Sequence, residues 1–77
     1  MLIRFFAGAA EAAGTEEMEF DAAGHTLETL QTALGADNER LAKVMAASSW
    51  LADGQRTSSG PLDGVAQLDV LPPFAGG

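Results

Sequence analysis

The chain has no cysteine, and only one histidine and one lysine among its 77 residues. Without thiols there can be no disulfide, no zinc–thiolate site and no cysteine nucleophile. The single histidine, His25, has no neighbouring ligand residues. It reads as a solvated loop residue rather than a metal ligand or general base. No metal and no bound cofactor are therefore expected. Basic residues are scarce as a class: four Lys and Arg face eleven Asp and Glu, for a net charge of −7. Nucleic acid and anionic membrane surfaces repel such a chain, so neither is an expected partner. A partner with a basic docking surface would be drawn to it, and an acidic surface equally serves solubility. Long apolar runs are missing too, so no segment reads as a bilayer span. The opening Met1–Phe6 lacks a signal-peptide layout because Arg4 interrupts it. A cytoplasmic location is the resulting expectation.

What is present is 47% apolar and 19% charged, the balance of one small globular domain. Such a domain buries a modest core and has no room for a large active-site cleft. A protein that binds or carries is expected, without catalytic activity of its own.

Met1–Phe6 alternates, with Ile3 and Phe5 on one side and Leu2, Arg4 and Phe6 on the other, as a strand does. Ala7–Ala13 favours helix, with Gly14 as its stop. Glu16–Phe20 alternates again, setting Met18 and Phe20 against Glu17 and Glu19. A whole helix inside a hairpin is not expected, so the early helix must be very short or the first strands splay apart. Thr26 caps a helix to Leu34 with Gly35 as its stop, and Leu27, Leu30 and Leu34 share a face. Asp37 or Asn38 starts another helix carrying Leu41, Val44 and Met45. Ser49–Ala52 reads as a strand, Asp53-Gly54 as a tight turn, Thr57–Gly60 as loop, Leu62-Asp63-Gly64 as a turn, and Gln67–Leu71 as the final strand. The order is α+β, with strands at both ends. A mixed sheet with the terminal strands side by side and a helix packed on one face, the β-grasp architecture of ubiquitin-like folds, is one of several α+β arrangements it permits.

The chain closes Leu71-Pro72-Pro73-Phe74-Ala75-Gly76-Gly77. Two prolines end sheet pairing and extend the path. Residues 1–71 are thus expected to form the domain and residues 72–77 a flexible tail reaching roughly 20 Å. Gly76 and Gly77 have no side chains, so they fit a channel too narrow for a Cβ. The Gly77 carboxylate is then the chemical group delivered.

This ending resembles the MoaD branch of the MoaD/ThiS sulfur carriers, whose members close with a strand, a Pro-Pro pair and Gly-Gly. The stretch Ile3-Arg4-Phe5-Phe6-Ala7-Gly8-Ala9-Ala10-Glu11-Ala12-Ala13-Gly14-Thr15 is similar to that branch's opening. Thr26-Leu27-Glu28-Thr29-Leu30 is similar to its helix start, and Pro61-Leu62-Asp63-Gly64 to the turn before its last strand. The resemblance implies a β-grasp fold and the small, sulfur-carrying subunit of molybdopterin synthase. An adenylating, E1-like activating enzyme would use ATP on the Gly77 carboxylate, and a sulfur donor would convert the adenylate to a thiocarboxylate. The tail would then enter a large catalytic subunit, in a heterotetramer, and pass sulfur to a cyclic pterin precursor in molybdenum cofactor biosynthesis. A cysteine-free carrier has to use its terminus, and adenylation makes a good leaving group.

Phe6 and Leu71 are candidates for an apolar docking surface at the root of the tail, given neighbouring terminal strands. The alternative has Phe6 folding over its own helix. Pro72, Pro73, Phe74 and Ala75 would contact the partner, with Phe74 as an anchor. Trp50 is expected in the core or an interface, Lys43 on a helix surface. Two other functions use the same activated terminus: sulfur delivery to cysteine or thiazole synthesis, and attachment to protein amines as a ubiquitin-like modifier.

Overall fold

The computed structural model describes residues 1–73; Phe74, Ala75, Gly76 and Gly77 lie outside the described residues. Five strands and three helices follow in the order β1 (Leu2–Phe5), α1 (Gly8–Ala13), β2 (Glu17–Glu19), α2 (Leu27–Gly35), α3 (Glu39–Ala47), β3 (Ser49–Ala52), β4 (Gln55–Thr57) and β5 (Gln67–Leu71). One five-stranded sheet has the order β2-β1-β5-β3-β4. The two terminal strands are its centre and run parallel, with Ile3 beside Leu68 and Phe5 beside Val70. The other pairs are antiparallel. This mixed sheet with helices on one face is the ubiquitin-like β-grasp fold.

Alternation in the central strands decides the layering. Ile3 and Phe5 of β1, Trp50 of β3, and Leu68 and Val70 of β5 point inward and are buried. Ala9, Leu27, Leu30, Leu41 and Met45 meet them from the helices, and Leu62 from the loop before β5. Trp50 is thus a core residue, 4% exposed. Helix α2 starts where Thr26 accepts from the Thr29 N–H at 3.1 Å and Thr29 Oγ1 accepts from the Thr26 N–H at 2.9 Å, a reciprocal capping box. Helix α3 starts at Asn38, whose Oδ1 accepts from the Leu41 N–H at 2.9 Å. The same amide donates Nδ2 to the Ala12 carbonyl at 2.8 Å, tying α3 to α1. Gly35 is the last residue of α2 rather than its stop, and Ala36 follows in right-handed geometry. A Cβ at Gly35 would lie 2.9 Å from the Ala42 Cβ, so the glycine is needed for the close approach of α2 and α3.

Two expectations need correction. β1 and β2 do pair, Leu2 with Glu19 and Arg4 with Glu17, although α1 lies between them. The six-residue helix fits because the chain reverses at each end of it. Ala7 enters at φ 48° and Gly14 leaves at φ 79°, both at positive φ, Gly14 in the left-handed helical conformation. The Phe5 N–H can then donate to the Glu16 carbonyl at 2.8 Å, resuming the ladder where it was left. The other correction is β4. Gln55–Thr57 has no alternating apolar pattern, and Thr57 was expected in a loop. It is an edge strand, held against β3 by the Asp53-Gly54 turn, whose residues both have positive φ, 50° and 82°. The Asp53 carboxylate also accepts from the Gln67 N–H at 3.0 Å, fastening this turn to the start of β5.

Among the described residues, no helix is long and apolar enough to cross a membrane.

Candidate functional site

Among the described residues, no helix covers the sheet's second face. By the two-residue period of a strand, it presents Leu2 and Arg4 of β1, Gln67, Asp69 and Leu71 of β5, Ser49 and Leu51 of β3, and Arg56 of β4. Pairing register sets them in rows. Glu17, Arg4, Asp69, Leu51 and Arg56 stand side by side across all five strands. The Arg4 Nε lies 4.0 Å from the Glu17 carboxylate, and the Gln67 amide donates to Asp69 at 3.0 Å. Arg56 donates to the Ser49 hydroxyl at 3.1 Å. The middle of the face is thus polar and internally paired, with charges of both signs despite the strong negative total.

At the end where β5 leaves the sheet, the face turns apolar. Phe6 follows β1 on the Arg4 side, and the Arg4 guanidinium lies 5.2 Å from its ring centroid. The Phe6 N–H donates to the Val70 carbonyl at 3.2 Å, which carries the parallel ladder one residue past Phe5. Continuing the register of Phe5 with Val70 brings Phe6 beside Leu71, and Leu71 pairs with Ser49 on its other side. Phe6 and Leu71 are both half-buried, and neither packs against the core. The Phe6 ring lies with the Arg4 guanidinium, and its carbonyl accepts from the Ala9 N–H of α1 at 3.0 Å. The two residues proposed for docking are therefore brought together at the root of the tail. Pro72 is half-buried and Pro73 exposed beyond them.

On the other side of that root lies a groove of about 520 Å³, walled by Ala7, Gly8, Val44, Ala47, Pro72 and Pro73, with Glu11 and Lys43 also lining it. Sequence reasoning missed this feature. Lys43, Val44 and Ala47 lie on neighbouring positions of α3, and that spacing was legible, but nothing local says that α1 and the prolines close the other wall. Ala7 is strained where it meets the groove, since a residue with a Cβ at positive φ costs about 1–3 kcal/mol. The strain is the cost of turning β1 directly into α1.

His25 lies in the loop before α2, as expected, but is not fully solvated. It is half-buried, its ring edge-on to Phe20 with centroids 5.0 Å apart, and its Nδ1 is 3.0 Å from the Thr29 hydroxyl. Its carbonyl accepts from the Leu62 N–H at 3.0 Å, so the segment before α2 is laced to the loop before β5. Glu28 completes that lacing. Its Oε1 accepts from the Gly60 N–H at 3.2 Å. Hydrogen bonds from its own N–H and from that of Gly60 hold its carboxyl below the ordinary carboxylate range. These groups secure the fold.

No family model matches the chain, and no curated protein matches it. Among solved structures, SAMP1 from Haloferax volcanii superposes with a TM-score of 0.73 over 99% of this chain and 97% of its own, at 23% sequence identity. A likeness of that extent at that identity is a likeness of fold, and it agrees with the ubiquitin-like β-grasp topology read from the strand order.

Proposed function

We propose that this protein is a sulfur carrier that works through Gly77, and that it serves as the small subunit of a molybdopterin synthase. The observation that carries the reading is the way β5 ends. The strand at the centre of the sheet runs straight into Pro72-Pro73, with Phe6 and Leu71 side by side at the point of exit. A partner seated on that apolar patch would hold the start of the tail in register, so that the following residues enter its active site at a fixed depth. Positioning of this kind is worth several orders of magnitude in rate.

In this reading the carrier supplies the acyl group and the partners supply the catalysis. An activating enzyme transfers AMP from ATP to the Gly77 carboxylate, releasing pyrophosphate. A sulfur donor then displaces AMP and leaves a thiocarboxylate. A large catalytic subunit positions that sulfur against a cyclic pterin precursor, and the carboxylate is regenerated when sulfur has been delivered. Phe74 and Ala75 line the path, and Gly76 and Gly77 pass the narrowest part because they have no Cβ.

The test is mass spectrometry after incubation with ATP, an adenylating enzyme and a sulfur donor. The wild-type chain should gain the mass of one oxygen-to-sulfur exchange on its C-terminal peptide. Deleting Gly77 moves the carboxylate back by about 3.5 Å, and Gly76→Val puts a branched side chain in the channel. Both should abolish sulfur delivery and leave the melting temperature almost unchanged. A Gly77 deletion that delivers sulfur at the wild-type rate refutes the site. A terminus that instead becomes linked mainly to amines of other proteins replaces the carrier reading with that of a modifier.

A further inference from the structure

A second groove, of about 310 Å³, lies where the β3–β4 edge of the sheet meets α2 and α3. It shares no lining residue with the groove at Lys43. Met45 and Trp50, both buried, form its apolar part, and Gln31, Ser49, Arg56 and Ser58 supply polar groups. We propose that this groove binds the phosphate group of a small phosphomonoester, with Arg56 as its cationic ligand. The proposal does not depend on the chemistry of Gly77.

The polar groups are donors with hydrogens still to give. Trp50 is 4% exposed, and its indole N–H, a donor only, meets no acceptor among the described residues. No buried side-chain polar atom there lacks a partner, so this N–H is open to solvent, and the groove is an opening that Trp50 borders. Arg56 donates to the Ser49 hydroxyl at 3.1 Å. That bond holds the guanidinium at the groove and leaves the Ser49 proton to be given onward. Among the described residues, the Gln31 amide and the Ser58 hydroxyl have no hydrogen-bond partner. Nearby acceptors are occupied. The Ser48 hydroxyl donates to the Val44 carbonyl at 2.7 Å, and the Ser48 N–H donates to the Met45 carbonyl at 3.1 Å. These bonds satisfy carbonyls in the last turn of α3, whose negative end would otherwise oppose an anion.

Charge points the same way. The chain has eleven acidic residues, and none of them lines this groove. Arg4 lies 4.0 Å from Glu17, and Arg40 lies 3.6 Å from Glu11. Among the described residues, Arg56 forms no such ion pair. Its guanidinium presents a fork of N–H groups that matches phosphate oxygens. Three phosphate oxygens can take that fork together with the Trp50 N–H and the Ser49 and Ser58 hydroxyls. A carboxylate, with two oxygens in one plane, cannot engage so many donors. The volume is at the small end of the range for ligand pockets, about 300–1,000 Å³. It suits the phosphate and part of the group it esterifies, which would rest on Met45 and Trp50.

Trp50 is the only tryptophan, so its indole N–H gives a single separate resonance in an amide NMR spectrum. The full chain is titrated with inorganic phosphate and with glycerol phosphate, at an ionic strength held constant with chloride. Acetate is the carboxylate arm. The expected result is a saturating shift of the indole resonance with both phosphates and none with acetate. Arg56→Gln should weaken binding by about tenfold or more, the loss of one hydrogen bond to a charged group. Arg56→Lys keeps the charge but not the fork and should fall between. Ser58→Ala, at an exposed position, should also weaken binding, and the remaining amide resonances report that each variant is folded. An indole resonance unmoved by glycerol phosphate, or an equal shift with acetate, would overturn the proposal. So would wild-type affinity in Arg56→Gln, which would leave Arg56 with its Ser49 contact alone.

Discussion

Val70 and Leu71 are adjacent in sequence and point to opposite faces of the central strand, so the same truncation at each should fail in different assays. Val70 is 0% exposed, among the largest fully buried side chains of the core. Val70→Ala removes two methyl-sized groups, about 1.6 kcal/mol of transfer free energy. The cavity left behind brings the loss to about 2–3 kcal/mol. In a domain of this size each kcal/mol moves the melting temperature by about 4–8 °C, so a fall of about 10–20 °C is expected. Leu71 is half-exposed on the open face and does not pack against the core. Leu71→Ala should change stability by no more than about 0.5 kcal/mol. On the proposed docking patch, however, it should weaken binding to the proposed large subunit by about 2 kcal/mol, near 30-fold in Kd. Leu71→Asp and Phe6→Asp should do more, because a carboxylate enters an apolar contact without a partner, and both should still fold. Urea titrations give the stabilities, and titration calorimetry against the large subunit gives the affinities. If Leu71→Ala is as destabilising as Val70→Ala, the face is not open in the way described. If it is stable and binds with unchanged affinity, the patch is not the docking surface.

Two further predictions concern the scaffold. Gly35→Ala should lower the melting temperature even though alanine is the better helix former by about 1 kcal/mol, because its Cβ would lie 2.9 Å from the Ala42 Cβ. The double change Gly35→Ala with Ala42→Gly should lose less than the sum of the single changes in a denaturation cycle; strict additivity would show that the two helices do not press together there. Glu28→Gln should reduce stability at neutral pH, where the carboxylate accepts from the Gly60 N–H. The folded carboxyl is held below the ordinary carboxylate value, so its contribution is full above that value and fades as pH falls through the lowered one. Wild type and variant should therefore converge in acid; a difference that persists unchanged there would assign the effect to something other than the charge.

Local chemistry determined much of this protein before any tertiary structure was considered. The caps Thr26 and Asn38, the Asp53-Gly54 turn, the Gly14 stop and the strands Ser49–Ala52 and Gln67–Leu71 are each specified by side chains within a few positions. The division of β1 into Ile3 and Phe5 on one side and Leu2, Arg4 and Phe6 on the other was equally legible, because a strand's period is two. Sequence alone could not fix which strands are neighbours. Gln55–Thr57 is a strand only because β3 offers it a free edge, and β1 meets β2 only because Ala7 and Gly14 reverse the chain around α1. The parallel pairing of β1 with β5 joins residues about as far apart as the chain allows, since Leu2 stands beside Gln67. No local signal encodes such a contact; it forms because it buries Ile3, Phe5, Leu68 and Val70 together under the helices. Phe6, Leu71 and the groove at Lys43 become one locality through that same burial, which sets the end of β1 beside the end of β5.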